Sequence, residues 1–308
     1  MNFQGSDILT AKNLSKADIE RIMEVAEGFL PYAKKEKQSD LLNGKILAAL
    51  FYEPSTRTRL SFETAMLRLG GRTVSVAGME GSSLMKGETL HDTACVIENF
   101  ADVIAVRHPQ PGSAAEMADA IGIPVLNAGD GAGEHPTQAL LDVFTMLQER
   151  GKVEGLKIAF VGDLKFGRTV HSLSYLLSHF GVKLYFVSPD ALRMPDDIMG
   201  DLKERKMDII ETESLEEALK HVDVCYMTRI QQERFTDPQE YQKFKHAYVL
   251  TKELVEKYNG KMTIMHPLPR VGEISMNVDE LEGASYFRQV GNGVALRMAL
   301  LALVLGKV

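Results

Sequence analysis

The chain has 308 residues, 45% of them apolar and 25% charged, with a formal net charge of −7 at pH 7. That length accommodates two domains of ordinary size, each with its own core, and the balance is that of a globular protein. The acidic excess excludes broad electrostatic attraction to nucleic acid or to an anionic membrane, so anions can be held only by local clusters of Arg, Lys and backbone N–H groups.

Residues 45–52 form a near-continuous apolar run of strand length. Beyond Pro54, Phe62, Ala65, Met66 and Leu69 recur at helical spacing, and Gly70-Gly71 ends that helix. A strand over 73–77 follows, then a Gly/Ser loop, a helix over about 88–100, and short buried strands at 102–106 and 124–127. The segment 135–150 has Leu140, Val143, Phe144 and Leu147 at helical spacing and is expected to bridge two domains. A second series begins near 155, with strands over 156–161, 182–187, 222–227 and 262–265 and a helix over 167–180. The last helix, 293–305, is strongly apolar and is expected to pack back on one of the domains. Alternation of strands and helices with short connections predicts an α/β fold: two doubly wound parallel-sheet domains joined by a bridging helix. Ligands in such folds lie at the carboxyl ends of the strands, here in the interdomain crevice.

Two cysteines 130 positions apart, Cys95 and Cys225, have no partner at metal-ligand spacing, which reads as two buried reduced thiols rather than a zinc site or a disulfide framework. The first residues lack the basic and apolar regions of a signal peptide, and the most apolar stretch, 298–305, is too short to cross a bilayer, so a cytosolic protein is expected.

Glu53-Pro54-Ser55-Thr56-Arg57-Thr58-Arg59 lies where the first strand hands over to a helix. Ser55 or Thr56 is expected to cap that helix, whose first turn leaves N–H groups unsatisfied. Hydroxyls, backbone donors and a guanidinium at one helix start suit a phosphate-like dianion. No GxxxxGK[ST] and no GxGxxG accompanies the leading strands, which sets nucleotide-loop chemistry aside. Arg107 follows a buried strand directly. His135 precedes Pro136, a residue suited to a first helical position, so the helix dipole should keep its ring neutral and able to donate to a carbonyl. On local evidence alone Lys86 reads as a solvated loop charge, Arg168 and Arg229 as surface charges, and His266-Pro267-Leu268-Pro269 as a stiff turn.

The Ser55–Arg59 segment resembles the carbamoyl phosphate signature of the aspartate/ornithine carbamoyltransferase family. Further segments are similar in order and spacing over nearly the whole chain: 82–88, Arg107-His108-Pro109, His135-Pro136-Thr137-Gln138, 162–169, Arg229-Ile230-Gln231 and 266–269. The resemblance implies transfer of a carbamoyl group from carbamoyl phosphate to the amine of aspartate. It implies catalytic roles for Arg57, Thr58, Arg107 and His135. Carbamoyl phosphate would be bound by Ser55, Thr56, Arg57, Thr58, Arg107, His135, Gln138 and Leu268, with Ser82 and Lys86 reaching in from a neighbouring subunit. Counting back from the lysine favours Ser82 over Ser83. Aspartate would be bound by Arg168, Arg229, Gln231 and Leu268, with Lys86 again in trans. Residues 1–134 with the C-terminal helix 291–308 would form the carbamoyl phosphate domain, 135–150 the bridge, and 151–290 the aspartate domain. A homotrimer with shared sites is implied, and a separate regulatory chain is left open; no cofactor, metal, nucleic acid or membrane partner is expected. Ornithine-type members resemble one another in a His-Cys-Leu-Pro segment, from which Pro267 departs here.

Overall fold

The computed structural model describes residues 1–80, 83–131, 133–232, 235 and 238–308. The chain divides into two compact units, residues 1–144 with 290–308, and residues 145–289.

In the first unit, α1 (Lys16–Ala33) precedes β1 (Ile46–Phe51), α2 (Thr56–Arg68), β2 (Arg72–Ala77), α3 (Leu90–Glu98), β3 (Val103–His108), α4 (Ser113–Ala120) and β4 (Val125–Asp130). The strands form one parallel sheet in the order β2-β1-β3-β4. Alternate residues of β1 and β3 (Ala48, Leu50, Ile104 and Val106) pack with Leu90, Ala94, Ala114 and Met117 of α3 and α4. Each Leu, Ile, Val or Met side chain so buried contributes roughly 1.5–3 kcal/mol. The edge strand β2 stays largely exposed. Helix α1 was not anticipated from sequence, although its start carries a readable signal: Ser15 accepts from Asp18 N while the Asp18 side chain accepts from Ser15 N, a capping box.

The second unit holds β5 (Lys157–Val161), α6 (Arg168–Leu177), β6 (Lys183–Val187), α7 (Asp196–Glu204), β7 (Asp208–Thr212), α8 (Leu215–Leu219), β8 (Val224–Met227), α9 (Pro238–Phe244), α10 (Lys252–Asn259) and β9 (Thr263–Met265). Its five strands are parallel in the order β7-β6-β5-β8-β9. The doubly wound α/β architecture expected from sequence is therefore present twice. Strand β7 was missed because Asp208 and Glu211 interrupt its apolar pattern, as suits an edge strand with an exposed face. The division between units falls within α5 (Pro136–Arg150) and within α11 (Tyr286–Val304).

The cysteine expectation needs correction. Cys225 is fully buried on β8, where burial pushes its thiol up to about 12, but Cys95 on α3 is only half-buried. Among the described residues, no helix is long and apolar enough to cross a membrane and no cluster of His, Cys, Asp and Glu could hold a metal ion.

Candidate active site

In the first sheet the chain runs from β1 outward to β2 and then returns to β3 on the other side of β1. That reversal is a topological switch point, where neighbouring strand-end loops diverge and leave a crevice. The loop from β1 into α2 and the loop after β3 flank it. Phe51 pairs with Arg107 across the two strands, and Tyr52 N donates to Arg107 O at 2.8 Å. The Arg107 guanidinium lies 3.2 Å from the Glu53 carboxylate, both side chains partly buried.

Helix α2 starts as expected, but Ser55 occupies the N-cap position without making a side-chain capping bond. This corrects the capping expectation: its backbone ψ of 81° departs from the extended geometry usual at that position. Arg59 N is the donor to Ser55 O, so the N–H groups before it lack the usual intrahelical acceptor. No acidic side chain occupies the first turn. Thr58 is buried, whereas Thr56 and Arg57 are exposed. Arg59 runs along the helix to Glu63 at 3.2 Å, which separates its role from that of Arg57.

The third contribution follows β4, the strand beside β3. Asp130 accepts from Glu134 N at 2.7 Å and from Gly112 N at 2.8 Å, while Glu134 in turn accepts from Thr10 and from Ala11 N. These bonds hold His135, 3% exposed, just before α5. Its Nδ1 lies 3.5 Å from Thr137 Oγ1. One turn on, Gln138 is buried and donates its Nε2 to Asp142 at 2.9 Å. Lys86 is exposed at the end of a short 3-10 turn, Ser83–Lys86; Ser82 lies outside the described residues.

The second sheet repeats the plan. The chain runs from β5 to β6 and β7, then returns to β8 on the far side of β5, so the switch point lies between β5 and β8. Arg168 follows β5 as the first residue of α6, while Arg229 and Gln231 follow β8. Asp163, fully buried, joins the two loops: it accepts from Phe166 N at 2.9 Å and from Gln231 N at 3.4 Å, and its own N–H donates to Thr228 Oγ1 at 3.1 Å. Burial raises its carboxyl pKa, against the opposing pull of these backbone donors and of the Arg229 charge. Gln231 Nε2 closes the link to the other loop through Phe166 O at 3.0 Å. Gly162 permits this close approach, since a Cβ there would stand 2.4 Å from Thr228 O.

After β9, the next strand over, Leu268 has φ +58° and a cis peptide bond to Pro269. Its N–H donates to His266 Nδ1 at 2.7 Å. Each unit thus gathers the residues expected to serve its own site at the carboxyl ends of three adjacent strands, whereas Lys86 follows β2. Sequence reasoning singled out the cations and missed the carboxylates around them: Glu53 beside Arg107, Asp163 between the loops of Arg168 and Arg229, Asp142 on Gln138 and Glu273 on His266. A usable signal existed for two of them: Glu53 and Asp163 each follow within two residues of a buried strand, where a ligand-side acid needs a reason.

Residues 6–148 match the family model described as "Aspartate/ornithine carbamoyltransferase, carbamoyl-P binding domain", and residues 154–304 match "Aspartate/ornithine carbamoyltransferase, Asp/Orn binding domain". The chain belongs to the aspartate/ornithine carbamoyltransferase family. Among its curated relatives, an aspartate carbamoyltransferase catalytic subunit from Methanothrix thermoacetophila is 53% identical, over 97% of this chain and 97% of the relative. One from Methanococcoides burtonii is 50% identical over 99% of both. Among solved structures, this carbamoyltransferase is similar to the aspartate transcarbamoylase of Trypanosoma cruzi in complex with N-(phosphonacetyl)-L-aspartic acid. That TM-score is 0.93 at 41% identity, covering 98% of this chain and 97% of the other. The catalytic subunit of M. jannaschii aspartate transcarbamoylase matches with a TM-score of 0.89 at 50% identity, over 96% of both chains.

Proposed function

We propose that this carbamoyltransferase moves the carbamoyl group of carbamoyl phosphate onto the amine of L-aspartate, giving N-carbamoyl-L-aspartate and phosphate, a step of pyrimidine biosynthesis. One observation carries the reading: the switch-point loops of both sheets bear guanidinium groups, Arg57 and Arg107 on the first, Arg168 and Arg229 on the second. A phosphate dianion suits the first set. A dicarboxylate suits the second, whereas ornithine would bring a cation to two arginines.

In this reading Ser55, Thr56, Arg57 and Thr58 bind the phosphoryl end, with the first-turn N–H groups of α2. Arg107, Thr58 and His135 point donors at the carbonyl oxygen, and Gln138 and Leu268 O receive the carbamoyl NH₂. Arg168, Arg229 and Gln231 hold the aspartate carboxylates, and Leu268 contacts aspartate also. The neutral amine attacks the carbonyl carbon, a C–N bond forms, and the oxygen takes on negative charge among donors already in place. Collapse breaks the bond to the phosphate, which departs and is a fitting acceptor for the amine proton.

The exposed turn ending at Lys86 supports a reach into a neighbouring copy, with Ser82 and Lys86 completing its site in a homotrimer. Leu60, Leu67 and Val74 are exposed on α2 and β2 and supply apolar surface for such neighbours. A cytosolic setting completes the proposal. The test is a carbamoylation assay with aspartate and ornithine in parallel, run beside a sizing measurement. Carbamoyl-aspartate made by a species of three chains is expected; a preference for ornithine, or no turnover of aspartate, overturns it.

A further inference from the structure

We propose that Asp142 is a positioning residue that fixes the amide of Gln138 with its carbonyl oxygen toward the carbamoyl NH₂, and so makes the site reject acyl phosphates lacking that NH₂. The proposal rests on the carbamoyl-transfer reading above and adds to it the source of donor selectivity.

Asp142 lies one helical turn beyond Gln138 on α5 and is fully buried. Its Oδ1 accepts from Gln138 Nε2 at 2.9 Å. Near it Arg297 of α11 is buried as well, its guanidinium 5.0 Å from the Phe62 ring centroid and donating to Ser61 Oγ at 3.0 Å and Gly293 O at 3.2 Å. Burial pushes Arg297 down to about 10, and the charge of Asp142 opposes that shift. The guanidinium therefore stays protonated at neutral pH, and a buried cation demands an anion close by. Asp142 meets that demand as a carboxylate.

An ionised carboxylate only accepts hydrogen bonds. The NH₂ end of Gln138 must then face Asp142, because the reversed amide would set two acceptors against each other in a buried place. Oε1 is left as the end turned away from Asp142. An acceptor complements the two N–H donors of a carbamoyl group and has nothing to receive from the methyl of acetyl phosphate, a donor of nearly the same shape. A polar group built to hydrogen-bond one substrate and left unmatched by another is a strong source of discrimination. Ser61 lies one turn beyond Thr58 on α2, so the same buried arginine also ties down the helix that carries the phosphate-binding residues.

Asp142→Asn tests this with little change of shape. The substitution puts an NH₂ within reach of Gln138, so an acceptor-only group no longer dictates the amide's orientation and the Gln138 amide turns over. The measurement is kcat/KM for carbamoyl phosphate and for acetyl phosphate, each with saturating aspartate. The ratio of the two should fall at least about tenfold, Gln138→Leu should lower it comparably, and the double variant should fall no further than Gln138→Leu alone. An equal loss with both donors, or an unchanged ratio in an active enzyme, overturns the proposal and leaves the carbamoyl-transfer reading standing. A wild-type enzyme unable to use carbamoyl phosphate and aspartate sinks that reading first, and this one with it. If Asp142→Asn does not fold, ¹⁵N-labelled wild-type protein decides. The side-chain NH₂ signals lost in Gln138→Leu should exchange slowly with solvent, and fast exchange of both protons refutes the bond to Asp142.

Discussion

His266 Nε2 and a Glu273 carboxylate oxygen are 2.6 Å apart, both side chains buried. Because Leu268 N–H donates to His266 Nδ1, that nitrogen carries no proton, and Nε2 is the donor to Glu273. Glu273 thereby sets the tautomer that holds the backbone of Leu268, and it accepts from Val271 N at 2.9 Å as well. Burial pushes the Glu273 carboxyl up, but the hydrogen bonds from His266 and Val271 outweigh it and leave its pKa below the ordinary value.

Replacing Glu273 by Ala should strand the buried His266 N–H and cost about 1–3 kcal/mol of stability, read from denaturant unfolding. The carboxylate also gives a pH signature. Its contribution is fully present above the unfolded-state pKa of about 4.3, and it is lost as pH falls through the lower folded value. Glu273→Gln should flatten that acid limb of the stability curve; an unchanged limb would show that Glu273 does not supply it.

Arg57 is exposed at the first turn of α2, so its loss removes no core packing. Arg57→Ala should keep its melting temperature and oligomeric state while kcat/KM drops by at least about a hundredfold, the scale for one donor that stabilises developing charge. Turnover like that of the wild type would take Arg57 out of the site.

His135→Ala bears on the same step from another strand end. A large fall in kcat, on the order of 10²–10³, with a smaller change in the affinity for carbamoyl phosphate is expected from steady-state kinetics and equilibrium binding. A kcat that does not move would refute the carbonyl role.

Arg168→Ala should raise the KM for aspartate by at least about tenfold, the equivalent of 1.4 kcal/mol, and leave carbamoyl phosphate binding by calorimetry unaltered. Equal weakening of both ligands would contradict the assignment of the second-sheet arginines to aspartate.

Gly162→Ala probes the shared anchoring of the two arginine loops. With φ at +120° and a Cβ position 2.4 Å from Thr228 O, the alanine cannot fit without backbone movement. A loss of several kcal/mol is the expectation, seen as a lowered melting temperature together with a raised KM for aspartate. A variant as stable as the wild type would mean that the β5 and β8 loops need no such contact.

By itself the sequence determined the alternating α/β plan and marked out the candidate cations. Buried parallel strands read as continuous apolar runs such as 46–51 and 157–161, and the helices between them keep the 3.6-residue spacing seen at Phe62, Ala65 and Met66. Arg57 and Arg107 stand out because a helix start and a strand end are local features, legible along the chain, whereas Arg168 and Arg229 read locally as surface charges and were singled out by the family resemblance. Strand order is not local. Only the tertiary structure decided that β1 neighbours β3 and that β5 neighbours β8, which brings segments more than fifty residues apart to one switch point. The supporting carboxylates followed from it, since Asp142, Asp163 and Glu273 earn their place through partners whose distances depend on packing. A charge run in a sequence carries no mark of burial, and burial is what turns an ordinary acid into the residue that orients its neighbour.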